Sequence, residues 1–350
     1  MVKGRRFLST MLTALVLSIS LCAVNVQAAT VTRTDGGSGG RIGTANKVAT
    51  DLFGKASNVI LVNGYGYADA VSATPLAKQL NAPILLTAGG STLESEVEST
   101  IQNLGASKVY IVGGTGVVSP SIETKLKASY QVERIAGITD TSRMGTNAEV
   151  AKRVLSLSGK KGAVLVNGQD GYADALSVAS IASQKGYPVL FGTSKAIASG
   201  VKDVVTSNGL SVLAVGGEGV LPQAVVSSVG GTKITQNTPD RFATNLAVLD
   251  YFKGTDGLDF SNVYVAAGGA TNDQFADALV ASAAAAKTGS PLILSGVGAN
   301  ASQIALAQQY ILSNVTDTSK VVIVGGTASI SDSIKDSLQT GDSLEVISIE

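Results

Sequence analysis

Short runs of continuously apolar residues, most of them stopped by glycine or asparagine, alternate along this chain with longer stretches of helical period. Between Arg41 and Ile135 the pattern predicts a helix over 41–53, then a strand over 59–62 that stops at Asn63-Gly64, then a helix over 67–80. A strand over 84–87, a helix over 93–104, a strand over 108–112, a helix over 121–128 and a closing strand over 131–135 follow. Strands that are apolar at every position are buried on both faces. Separated by helices, they indicate an α/β fold with a parallel sheet covered on each side. The helix ends agree: Ser119 and Ser331 stand where a hydroxyl can accept from a free helical N–H, and Gly105 and Gly209 read as helix stops. Pro222 replaces the serine in the second unit.

The same order of landmarks occurs three times. Ala-Asp-Ala appears around Asp69, Asp174 and Asp277, and a proline follows each aspartate by fourteen residues, at Pro83, Pro188 and Pro291. Each proline opens an apolar run: Ile84-Leu85-Leu86, Val189-Leu190-Phe191 and Leu292-Ile293-Leu294. Later runs end in Gly113-Gly114, Gly216-Gly217 and Gly325-Gly326, and upstream of each aspartate stand Arg41-Ile42-Gly43-Thr44, Arg143-Met144-Gly145-Thr146 and Arg241-Phe242-Ala243-Thr244. A period of slightly over 100 residues is that of a small α/β unit rather than a solenoid turn. The units are read as 41–136, 137–237 and 238–350. Residues 29–40, rich in Gly, Ser and Thr, read as a flexible linker.

Composition narrows the chemistry. Lys3, Arg5 and Arg6 precede an apolar stretch over 7–24, and a small-residue site ends at Ala28, so residues 1–28 read as a secretory signal peptide, with an uncleaved anchor as the alternative. Without them the chain holds 23 basic and 26 acidic residues, so an anionic partner must meet a local cluster, and nothing in the balance calls for a nucleic acid. The only cysteine, Cys22, lies in the leader, and there is no histidine anywhere. Imidazole triads, histidine metal sites, thiol nucleophiles and disulfides are thereby excluded. Paired carboxylates remain conceivable for glycoside hydrolysis, but the recurrent acid occurs once per unit without a recurrent acidic partner. With no Trp, a sugar-stacking platform is not expected, and recognition is expected to be polar and charged. Gly114-x-Gly116 and Gly217-x-Gly219 approach a dinucleotide fingerprint, yet the third glycine is missing and the third unit has no counterpart, so tight turns explain them. No cofactor and no metal are expected.

Two readings stay open for the recurrent polar residues. Asp69, Asp174 and Asp277 fall in the first turn of a helix after a strand's carboxyl end, where ligands gather in open parallel sheets, but also where an acid suits the helix dipole. Arg41, Arg143 and Arg241 carry planar donors suited to phosphate or carboxylate oxygens, or they pair with a neighbouring unit's aspartate. The three proline-led runs are expected to fill the centre of each sheet and to form the contact surface between units.

Together the Arg-x-Gly-Thr opening, Asn-Gly followed by Ala-Asp-Ala, the Pro-Ile-Leu-Leu-Thr run, the Gly-Gly turn and Arg134-Ile135-Ala136-Gly137 resemble the type 2 cell wall-binding repeat of Gram-positive surface proteins. The resemblance spans 41–350. It implies three Rossmann-like modules around a pseudo-threefold axis, and a secreted, non-catalytic protein held at the cell surface by an anionic wall glycopolymer, with other surface proteins as further partners. The polymer is then expected in grooves between modules, at the three arginines and nearby aspartates. Departures are visible. Thr141-Ser142 separates Asp140 from Arg143, Ala328 stands at a turn glycine of the third copy, and the first copy has Gly36-Gly37-Ser38-Gly39-Gly40 in place of the Arg-Ile-x-Gly segment. The rival class is an extracellular α/β enzyme or solute-binding protein with its site at the strand carboxyl ends.

Overall fold

A computed structural model describes residues 29–235, 238–271 and 274–341; the expected leader at 1–28 and the last nine residues of the third unit lie outside them. The first unit contains α1 (Gly40–Phe53), β2 (Asn58–Asn63), α2 (Tyr67–Leu80), β3 (Ile84–Thr87), α3 (Ser95–Leu104), β4 (Lys108–Val112), α4 (Pro120–Lys127) and β5 (Gln131–Ile135), preceded by β1 (Thr30–Thr34). The second repeats it as α5 (Arg143–Ser158), β6 (Gly162–Asn167), α6 (Tyr172–Lys185), β7 (Val189–Gly192), α7 (Ser199–Asn208), β8 (Ser211–Ala214), α8 (Gln223–Ser227) and β9 (Thr232–Lys233). The third has α9 (Arg241–Asp256), β10 (Asn262–Ala267), α10 (Ala276–Thr288), β11 (Leu292–Ser295), α11 (Ala301–Leu312), β12 (Lys320–Val324) and α12 (Asp332–Thr340). The caps act as read: Ser119 accepts from Ile122 N and Ser331 from Ile334 N, while Gly105 and Gly209 end their helices in the left-handed region. In the second unit the hydroxyl of Ser142, not Asp140, accepts from Met144 N at the start of α5.

Three four-stranded parallel sheets result, with orders β3-β2-β4-β5, β7-β6-β8-β9 and β11-β10-β12-β1. The third sheet borrows its fourth strand from the start of the chain: Thr30–Thr34 pairs with Lys320–Val324 as β5 pairs with β4. This overturns the linker reading of 29–40 for these residues. Val31 is buried, and Thr and Val are strand formers; the Gly-Ser composition that suggested a linker belongs to the turn behind them. The first copy's missing segment is likewise present as Arg33-Thr34-Asp35-Gly36. Arg33 donates to Gly325 O (2.8 Å), as Arg134 donates to Gly113 O (2.8 Å). Arg33 further donates to Ile330 O and pairs with Asp332 (3.2 Å). Lys233 takes this place in the second unit, donating to Leu221 O (2.7 Å).

The proline-led runs are edge strands, not central ones, which corrects the expectation for β3, β7 and β11. They are nevertheless fully buried, because α2 of the first unit packs on β7 and α6 of the second on β11. The pleat divides the second run: Val189 and Phe191 join the core shared by all three units, whereas Leu190 belongs to a separate cluster with α5 and α7. What lines the pseudo-threefold axis is the helix trio α2, α6 and α10, each packed on the other two. Their sequences explain this. Ala and Ser dominate α6 and α10, and nearly every residue of both is buried, so no bulky side chain holds the helices apart.

A buried edge strand needs partners for its outward N–H and C=O groups. Asn147 of α5 supplies them for β7: its Nδ2 donates to Val189 O (2.8 Å) and its Oδ1 accepts from Phe191 N (2.9 Å). Asn245 of α9 does the same for Leu292 O (3.1 Å) and Leu294 N (2.9 Å) of β11. Each amide stands in for a missing neighbouring strand. Both lie four residues after the recurrent arginine, a recurrence the motif reading passed over because Ala45 occupies the place in the first unit. Replacing Asn245 with Ala leaves two buried backbone groups unpaired and is expected to lower unfolding free energy by about 3 kcal/mol, measured by urea titration.

Candidate functional site

Within each sheet the chain leaves the first strand in one direction and returns on its other side, so the carboxyl ends of β2 and β4, β6 and β8, and β10 and β12 flank a switch point. The two most regular motifs meet there. Asp69 at the start of α2 lies against the Gly-Gly turn after β4, Asp174 against that after β8, and Asp277 against that after β12. A methyl group on Gly113, Gly216 or Gly325 would approach those carboxylate oxygens to 2.7, 3.2 and 2.3 Å. All three glycines have φ between 112° and 135°, so the turn needs glycine for its backbone as well as for the space.

One residue ahead of each Ala-Asp-Ala stands an aromatic ring. Tyr67, Tyr172 and Phe275 form a triangle on the axis with every pair of centroids 6.0 Å apart, which closes the carboxyl-end face above the helix trio. The arginines interlock with this triangle in cyclic order. Arg143 of the second unit lies over Tyr67 of the first (5.6 Å), Arg241 of the third over Tyr172 of the second (4.8 Å), and Arg41 of the first over Phe275 of the third (5.9 Å). Each also donates to its own unit's loop, Arg41 to Gly64 O (2.8 Å), Arg143 to Gly168 O (3.1 Å) and Arg241 to Gly269 O (2.7 Å). Arg241 further bonds the Tyr172 hydroxyl.

The structure therefore brings the predicted arginines and aspartates together across unit boundaries. Burial pushes the Asp69 carboxyl up to about 6, opposed by the Arg143 guanidinium of the next unit. Burial likewise raises Asp174 to about 6 against the pull of Arg241. Asp277 is also raised by burial, but Ser329 donates to it (2.7 Å) and Arg41 stabilises its charge. The serine stands where Val117 and Val220 lie in the other turns, so the third carboxylate has a partner that a valine cannot offer.

Two clefts open at these boundaries. The one between the first and second units, about 530 Å³, is lined by Tyr65, Tyr67, Asp69, Arg143, Asp170 and Tyr172 among others. The one between the third and first units, about 570 Å³, presents Asp35, Arg41, Thr44, Asp277 and Ser329. Aromatic residues do stand in the first cleft, which corrects the expectation that no stacking platform exists. The missing tryptophan was the wrong test, because tyrosines scattered in sequence are gathered by the axis. Among the described residues no group of three or more acidic, histidine or cysteine side chains is placed to hold a metal ion, and no helix is long and apolar enough to cross a membrane.

The sequence profile described as Cell wall binding domain 2 (CWB2) matches three successive segments, 36–123, 134–226 and 237–335. The chain belongs to the CWB2 family. This CWB2 chain is 32% identical over 306 residues to the N-acetylmuramoyl-L-alanine amidase LytC of Bacillus subtilis (strain 168), covering 87% of the chain and 57% of that relative. It is 28% identical over 302 residues to the Amidase enhancer of the same organism, covering 85% of the chain and 39% of the relative. Thus it spans about half the length of these curated relatives, or less. Among solved structures, Cwp6 from Clostridium difficile aligns with a TM-score of 0.76 at 24% identity, over 91% of this chain and 48% of that one. Cwp8 from the same organism aligns at 0.73 and 27% identity, over 89% and 52%. At 24% identity the first shows a likeness of fold alone, and the second adds a likeness of fold at 27% identity.

Proposed function

We propose that the protein attaches non-covalently and without catalysis to the cell wall, by binding an anionic wall glycopolymer in the clefts between its units. The observation that carries this reading is the cyclic one: each unit's arginine faces its neighbour's aspartate at the carboxyl-end face, so Arg41, Arg143 and Arg241 present positive charge beside a raised-pKa acid at equivalent positions. A polymer of repeating anionic units matches a rigid body that repeats an arginine at equivalent unit boundaries, and several weak contacts on one body multiply into avidity. Asp69, Asp174 and Asp277 are read as acceptors for polymer hydroxyls, their carboxylates held in place by the glycine turns. In this reading the runs 84–86, 189–191 and 292–294 serve core and unit contacts, not the polymer.

Co-sedimentation with purified walls tests the proposal. The protein is expected to pellet with intact walls and to remain in solution after the anionic polymer is stripped; equal pelleting from both, or from neither, overturns it. Replacing Arg41, Arg143 and Arg241 together with Gln is expected to lower the pelleted fraction at least about tenfold, since three charge-assisted contacts are lost. The thermal transition serves as control. Loss of folding in that variant assigns the arginines to unit packing.

A further inference from the structure

The two clefts are built from different chemistry although the units repeat. Between the third and first units the walls are mainly backbone of the glycine-rich turn, hydroxyls and the charges of Asp35, Asp277 and Arg41. Between the first and second units a tyrosine stands at the rim. Tyr65 is 61% exposed, the largest exposure among the described aromatic rings. Its loop is held: Asn63 accepts from Tyr65 N (2.7 Å) and donates to Ala88 O and Val117 O. The Arg41 guanidinium covers one face of the ring at 4.6 Å. With that face taken and the ring still mostly exposed, the opposite face is the one offered to an incoming group. Arg143, exposed on the far wall, donates to Gly168 O through one nitrogen of its fork. The corresponding loop positions of the other units are occupied by Gln169 and Gly269, so among the described residues this arrangement occurs once.

We propose that the cleft between the first and second units is a saccharide subsite, in which Tyr65 stacks on the apolar C–H face of a pyranose while Arg143 holds an anionic substituent of that sugar. This rests on the wall-polymer reading and deepens it. A flat ring fixed by its own backbone and by Arg41 loses little freedom on binding, and covering both the sugar face and the phenol ring removes apolar surface from water. Asp69 and Asp170 stand on the two sides of the cleft as hydroxyl acceptors. The two clefts are then unequal in kind: one reads a sugar ring together with its charge, and the cleft beside Asp35 reads charge and hydroxyls.

The test is a titration of the purified protein followed by NMR of the tyrosine rings and arginine side chains, with N-acetylglucosamine 1-phosphate and inorganic phosphate as probes. The sugar phosphate is expected to shift the Tyr65 and Arg143 signals and to bind more tightly than phosphate alone. Tyr65→Ala is expected to weaken the sugar phosphate by about tenfold and to leave phosphate unchanged, whereas Tyr65→Phe keeps both. Arg143→Gln weakens both probes. No binding of the sugar phosphate, equal affinity for the two probes, or an unchanged affinity in Tyr65→Ala overturns the subsite. If wall pelleting persists under any of those results, the subsite alone falls; if pelleting itself fails, the polymer reading falls with it.

Discussion

Removing residues 29–35 is expected to destabilise the third unit by roughly 4–6 kcal/mol and to turn the protein into an associating species. The strand β1 contributes a five-residue parallel ladder to β12, including Thr30 N to Ser319 O (3.0 Å) and Gly325 N to Thr34 O (2.9 Å). It also places Arg33, which holds the turn after β12 through Gly325 O and Ile330 O. That turn cradles Asp277, so the loss reaches the cleft between the third and first units. With β1 gone, β12 presents an unpaired edge, and an uncovered edge strand pairs with another chain. Thermal unfolding and size-exclusion chromatography at two concentrations give the two readouts. A stable monomer after deletion would show that β1 merely decorates the sheet. Arg33→Ala, which keeps the strand, is expected to show the smaller loss of about 2 kcal/mol.

The second large effect concerns pH. Asp69 and Asp174 have carboxyls held at about 6 in the folded protein against 3.8 ordinarily. Between those values the folded state binds more protons than the unfolded state, so stability falls as pH rises from about 4 to 6 and is level above. A displacement of about two units corresponds to about 2–3 kcal/mol for each aspartate. Glu123, Asp140, Asp256 and Asp259 are shifted the opposite way, chiefly by hydrogen bonds, and their stabilisation is lost only as pH falls toward and below the ordinary carboxylate range. The urea midpoint is therefore expected to be higher near pH 4.5 than at pH 7. In the double variant Asp69→Asn, Asp174→Asn that slope is expected to shrink to the part that Asp277 contributes, because the neutral amide keeps the shape without the buried charge, and stability at pH 7 rises. An undiminished slope in the variant would place its origin elsewhere.

Local pattern reading worked wherever the physics is local. The predicted span over 67–80 and the strands over 84–87, 108–112 and 131–135 coincide with α2, β3, β4 and β5, because continuous apolar runs and stop residues act within a few residues of themselves. The aspartate, glycine-turn and arginine landmarks were all visible, but not their meeting. Asp69 and Gly113 are brought together by the order of strands, and Asp69 and Arg143 by the packing of two units. The edge-capping amides Asn147 and Asn245 were legible in principle as buried polar residues at a fixed distance from the arginine, yet their purpose appears only once β7 and β11 are known to be edges.

By itself, then, the amino-acid sequence determined the α/β class, three units in register, nearly every element of the first, and the exclusion of imidazole chemistry. Each follows from short-range patterning or from the presence of a residue type. Only the tertiary structure decided that residues 30–34 belong to the third sheet, that alanine-rich helices rather than apolar strands line the axis, and that tyrosines separated in sequence gather at one cleft. Those outcomes depend on contacts between groups up to about 290 residues apart, such as Arg33 with Gly325, whose energies no local window contains.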